Sequence, residues 1–140
     1  MQIMKTCRSL PSYKTASAAG CDLVANICLE TELLPGDSAI FPTGIHIALP
    51  EGYEGQIRGR SGLNCNDGIV CPVGTIDADY RGELMVKLYN LSKRPYTIKP
   101  QERIAQLVIC PVVQAKWDEV EFWECDTERG DKGFGSTGRM

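Results

Sequence analysis

LMVKLY, residues 84–89, puts Leu84, Val86 and Leu88 on one side of an extended chain and Met85, Lys87 and Tyr89 on the other. A period of two marks a half-buried strand, because successive side chains point to opposite faces. Working outward, IHIAL (45–49) repeats the alternation with Ile45, Ile47 and Leu49, which turns His46 away from the core. PEG (50–52) then makes a turn. Ile104 to Val113 is apolar on both faces apart from Gln106, as in a strand covered on both sides, and Val120 and Phe122 continue a shorter one. Pro35-Gly36, Asp67-Gly68 and Pro100-Gln101 supply further turn signals. Helical periodicity is nearly absent, and only residues 61–66 fit a helical turn. Many short strands separated by turns predict an all-β jelly roll, sandwich or barrel.

The chain of 140 residues suits one domain with a genuine core. We expect a β domain over 1–128 and a Gly-rich C-terminal arm over 129–140 belonging to that same domain. A net charge of −3 gives no general attraction to nucleic acid, so any anionic ligand must be held by local arginines. Arg58, Arg60, Arg81, Arg103 and Arg129 are the candidates. No stretch approaches the ~20 apolar residues that span a bilayer, and MQIMKTCRSL lacks the apolar run of a signal peptide. Seven cysteines without a C-x-x-C pair, and a single histidine, argue against a zinc site. The thiols are expected to be reduced and mostly buried, in a cytoplasmic or nuclear protein that is not secreted.

Five stretches do not read as core. AAGCDL (18–23) brings small residues and Asp22 together, which also fits a turn with an exposed Asp. GRSGLN (59–64) combines Arg60, a hydroxyl at Ser61 and flexible glycines, suited to an oxyanion or to a bulge at a strand end. GTIDADYRGEL (74–84) crowds Asp77, Asp79, Tyr80, Arg81 and Glu83 between strand residues, a density of titratable groups that fits a functional site or a salt-bridged surface loop. In ERIAQLVI (102–109) the amide of Gln106 needs partners or faces a ligand. RGDKGFGSTGRM (129–140) holds Phe134 among four glycines, which no core explains.

In this order, the five stretches resemble the motifs of the trimeric dUTP diphosphatases (dUTPases), over about residues 16–138. GTIDADYRGE, RIAQL and RG-x-x-GFGSTG are highly specific in combination. The resemblance implies a jelly-roll subunit in a homotrimer with active sites at subunit interfaces. There, dUTP would be hydrolysed to dUMP and pyrophosphate, keeping uracil out of DNA and supplying dUMP for thymidylate synthesis. It also implies that the arm of one subunit closes over a site built by the other two.

By this resemblance Asp77 is the base that deprotonates the attacking water and accepts from the sugar 3′-hydroxyl. Tyr80 is the ring beneath the deoxyribose that excludes a 2′-hydroxyl. Arg60, Ser61, Gly62 and Gln106 serve the phosphates, and Asp22 holds Mg²⁺ through a water. Arg129, Ser136 and Thr137 hold the γ-phosphate, with Phe134 stacking on uracil beside Gly135. Uracil is read by backbone groups near Cys71, Thr75 and Ile76, and Met85 lines the substrate. The chain departs from the family at Cys71, where Asn is common. It departs again at Gly59, where Pro is usual, at Asn64, where a small residue is usual, and at Gln101-Glu102, where Gly-Asp is usual. The dCTP deaminases share the fold, but their catalytic Glu would fall at Lys87. No nucleic acid or membrane partner is implied, although an added protein-binding role is compatible with the motifs.

Overall fold

The computed structural model describes residues 1–5, 10–122, 127–128 and 130–131. In chain order these form β1 (Gln2–Lys5), β2 (Gly20–Val24), β3 (Thr31–Leu33), β4 (Ser38–Pro42), β5 (Ile45–Ala48) and β6 (Tyr53–Arg58). A short helix, α1 (Ser61–Asp67), follows, and then β7 (Ile69–Val70), β8 (Gly74–Ile76), β9 (Met85–Asn90), β10 (Tyr96–Ile98) and β11 (Arg103–Pro111). The fold is all-β with one helix, at the place where the sequence admits a helical turn.

The strands pair antiparallel in four ladders: β2-β11-β6-β8, β4-β9-β7, β1-β5 and β10-β3. This is the jelly-roll arrangement, in which neighbours in a sheet are distant in sequence. Leu84, Val86 and Leu88 are fully buried, as their alternation requires, and join Leu23, Phe41 and Ile104 in a single core. Each such side chain contributes about 1.5–3 kcal/mol by leaving water. Ile45 and Ile47 face the same core, and His46 faces out. Two polar residues, Thr43 and Asn90, are buried among the described residues, and both are bonded: Thr43 Oγ1 donates to Leu84 O at 2.7 Å, and Asn90 Nδ2 to Leu33 O at 2.8 Å.

Three expectations need correction. The strand from Ile104 ends at Pro111 instead of Val113, and residues 112–122 form no strand at all. Val113, Trp117 and Phe122 stand exposed there, and among the described residues no strand covers them. The thiols are not mostly buried. Of the five described, Cys21 and Cys71 are buried, Cys110 is intermediate, and Cys28 and Cys65 are exposed.

Candidate active site

Register decides which site residues meet. On the β2-β11-β6-β8 sheet, Gln106 of β11 lies opposite Asp22 of β2 on one side and Arg58 of β6 on the other. Arg60 and Ser61 follow directly after β6. Three of the suspected motifs, from residues 22, 60 and 106, therefore converge at one end of this sheet although 84 residues separate Asp22 from Gln106.

They interlock there. Arg60 Nε lies 3.3 Å from Asp22 Oδ1, and its Nη1 donates to Arg103 O at 2.9 Å. Arg103 Nη1 in turn donates to Asp22 Oδ2 at 3.1 Å, so the carboxylate sits between two guanidinium groups. A register shift in β11 between Arg103 and Ala105 accompanies this turn of Arg103 toward β2. Gln106 Nε2 donates to Gly59 O at 3.0 Å, fixing the loop before Arg60, while its carbonyl packs against Gly20. A Cβ on Gly20 would collide with that amide, which explains the small residue in AAGCDL. At Gly62 a Cβ would meet open space, so nothing within the chain itself requires glycine there.

Asp77 is elsewhere. β8 runs antiparallel to β6 with Ile76 opposite Gly55, so Asp77 emerges at the opposite end of the sheet from Arg60. β6 ends at Arg58 and Ser61 opens α1, so Asp77 and the Arg60–Ser61 turn lie beyond opposite ends of the same strand. Asp77 lines a cleft of about 540 Å³ together with Glu51, Glu54 and Asp79. That cleft is acidic, whereas the Arg60 end carries the positive charge. One copy of the chain thus keeps Asp77 apart from Arg60 and Ser61.

The loop bearing Asp77 is held by its own backbone. Tyr80 N–H donates to Asp77 O at 3.1 Å, and Arg81 Nη1 donates to Ala78 O and Tyr80 O at 2.7 and 2.8 Å. Tyr80 OH donates to Glu83 O at 2.9 Å, laying the ring over Gly82, where a Cβ could not fit. Among the described residues nothing bonds the Asp77 carboxylate, which is exposed. Cys71, at the start of the β7–β8 connection, is buried beside Gly59, and burial pushes its thiol up to about 11. Thr75 and Ile76 lie on β8, and Met85 opens β9 opposite Pro42, exposed. Arg129, Phe134, Gly135, Ser136 and Thr137 lie outside the described residues. Arg103, which the sequence offers only as one of five candidate anion-holding arginines, is spent here on Asp22. Its signal was position alone, as the arginine three residues before Gln106.

No group of three potential ligands that could hold a metal ion by itself occurs among the described residues. Asp22 has both oxygens engaged by arginines. This suits an outer contact to a hydrated ion and does not suit direct ligation. Among the described residues no helix is long and apolar enough to cross a membrane.

A family model described as dUTPase matches residues 7–138. A protein of Ehrlichia canis named deoxyuridine 5′-triphosphate nucleotidohydrolase is 52% identical over 132 residues, covering 92% of this chain and 86% of the relative. One of the same name from Desulfotalea psychrophila is 51% identical over 132 residues, covering 93% and 87%. Among solved structures, the dUTPase of Staphylococcus bacteriophage 80alpha with dUPNHPP is similar at TM-score 0.89 and 30% identity, covering 98% of this chain and 97% of that one.

Proposed function

The chain belongs to the dUTPase family, and from that premise we propose that it hydrolyses dUTP to dUMP and pyrophosphate at sites shared between copies in a homotrimer. One observation carries the shared site: within a chain, Asp77 and the Arg60–Ser61 turn lie beyond opposite ends of β6. Both side chains are short, yet the reaction asks both to act at the same α-phosphate. Asp77 of one copy and the Arg60–Ser61 loop of another satisfy that demand. The arm, through Phe134, Gly135, Ser136, Thr137 and Arg129, completes the site from a third copy.

The charge distribution agrees with this division. The acidic cleft at Asp77 repels a triphosphate and leaves the nucleoside there. The phosphates extend into the partner's Arg60 and Gln106, where guanidinium and amide donors receive them. Asp77 takes the proton from a water as it attacks the α-phosphorus in line with the departing pyrophosphate. Charge then builds on the bridging oxygen beside Ser61, and the open space at Gly62 admits the phosphate closely. Tyr80, with its hydroxyl tied to Glu83 O, presents a fixed wall to the sugar. A 2′-hydroxyl would have to displace that wall, which is the basis for preferring dUTP over UTP. Cys71, Thr75 and Ile76 read uracil through their backbone, and Met85 lines the same substrate.

Mg²⁺ is the implied cofactor, and Asp22, with both oxygens engaged by arginines, would hold it through a water. When bound, the ion neutralises phosphate charge. Pyrophosphate release from dUTP, dTTP, UTP and dCTP, with and without Mg²⁺, tests the reading. Hydrolysis of dUTP should far exceed the rest and should need the ion. Ammonia release from dCTP would overturn it.

A further inference from the structure

The single histidine of the chain was expected only to face away from the core, and it does. Its ring is nevertheless committed. His46 Nδ1 lies 3.1 Å from Arg81 O, across a cleft of about 490 Å³ that the β1–β5 ribbon shares with Arg81. A carbonyl oxygen can only accept, so the ring donates from Nδ1. Arg81 is the residue whose guanidinium already gathers the carbonyls of Ala78 and Tyr80. Its own carbonyl is thus the point at which the inwardly folded loop is tied to the barrel. A second tie lies further along, where Gly44 N–H donates to Glu83 Oε1 at 2.6 Å. The backbone then rejoins β5 through Leu84 N–H to Ile45 O at 2.7 Å.

We propose that His46 is a positioning residue for the reaction: its Nδ1–H anchors Arg81 O and so fixes the Asp77–Gly82 loop that presents the base and the sugar wall. The inference rests on the roles given above to Asp77 and Tyr80. The anchor is set on β5, whose Ile45 and Ile47 are buried at 2% and 5% exposure, so it transmits the rigidity of the core to an exposed loop. The Asp77 carboxylate has no partner among the described residues, and its placement depends on this loop. Small displacements of a positioned base cost up to about 10²-fold in rate.

Two variants separate positioning from bulk. His46→Leu keeps volume and removes the donor, whereas in His46→Asn the amide Nδ2 occupies the place of the ring Nδ1. For His46→Leu, kcat on dUTP should fall by about tenfold, with KM changed by less than about threefold. Its preference for dUTP over UTP should drop several-fold, because Tyr80 moves with the loop. Amide hydrogen exchange should quicken at residues 78–83 while the core strands keep their protection. His46→Asn should restore rate, preference and protection. The proposal is overturned if His46→Leu keeps all three within twofold, or if His46→Asn fails to restore them. A parent protein that does not turn over dUTP would refute the functional reading instead. Hydrogen exchange would still decide whether His46 holds the loop.

Discussion

At the Arg60 end of the four-stranded sheet, the side chains of Asp22, Arg60, Arg103 and Gln106 are already bonded within the chain. Asp22 is gripped by Arg60 and Arg103, and Gln106 holds Gly59. At the Asp77 end the carboxylate stands exposed and unbonded among the described residues, on a loop stabilised by its own carbonyl acceptors. On the proposed reading, the first end receives the phosphates on side chains already fixed within one chain. The second end supplies one reactive group and a shaped backbone, and lacks the charge to hold a triphosphate. On that reading, the two ends of one copy therefore serve different sites.

Removing the base should give the largest effect. Asp77→Asn keeps the shape of an exposed residue and should reduce turnover by about 10²–10⁴-fold. Binding of a non-hydrolysable dUTP analogue, followed by calorimetry, should survive, because the phosphate contacts lie at the other end. Turnover within a few-fold of the parent would assign the base elsewhere.

At the opposite end, Asp22→Asn leaves two guanidinium groups without their shared anion. Titrating Mg²⁺ in the dUTP assay should show a higher ion requirement and a loss of roughly tenfold in rate at low Mg²⁺, the scale typical of outer-shell metal contacts. An unchanged Mg²⁺ curve would remove Asp22 from the metal's surroundings. Gly20→Ala should act more gently. Its Cβ pushes the Gln106 amide off Gly59 O, and the displaced group is the flexible end of a side chain. We expect a fall of a few-fold in kcat/KM for dUTP with the melting temperature little changed. A large loss of stability would show instead that the backbone moves.

In the turn that leads into β11 at the Arg60 end, Gln101 adopts φ 62°. This is the left-handed region that costs a side-chain-bearing residue about 1–2 kcal/mol, offset in part by the entropy glycine loses on folding. Gln101→Gly should therefore raise the denaturant midpoint by an amount worth about 0.5–1 kcal/mol, at constant slope. Catalysis should not change.

The departure at Gln101-Glu102 was visible in the sequence, and its meaning followed from the backbone angle alone. The strands at 84–90 and 45–48 were legible for a similar reason, because alternation reports directly on a pleated, half-buried strand. Val120 and Phe122 show the limit of that signal. Apolar spacing says that a face must be covered, and it cannot say by which chain. The convergence of Asp22, Arg60 and Gln106 needed the register of β11, which no local pattern specifies. Resemblance named the three residues, and geometry added Arg103 between them. The tie from His46 to Arg81 was hidden more deeply. Its acceptor is a backbone carbonyl, and carbonyls leave no mark on a sequence.

The central claim is that Asp77 and the Arg60 loop of one site come from different copies of the chain. Refolding a mixture of Asp77→Asn and Arg60→Ala chains, each inactive alone, tests it most directly. In mixed assemblies some sites receive an intact Asp77 from one copy and an intact Arg60 from its neighbour. The account predicts that dUTP hydrolysis reappears in the mixture and in neither parent. Mixed assemblies, verified by mass spectrometry, that stay as inactive as the parents would contradict it.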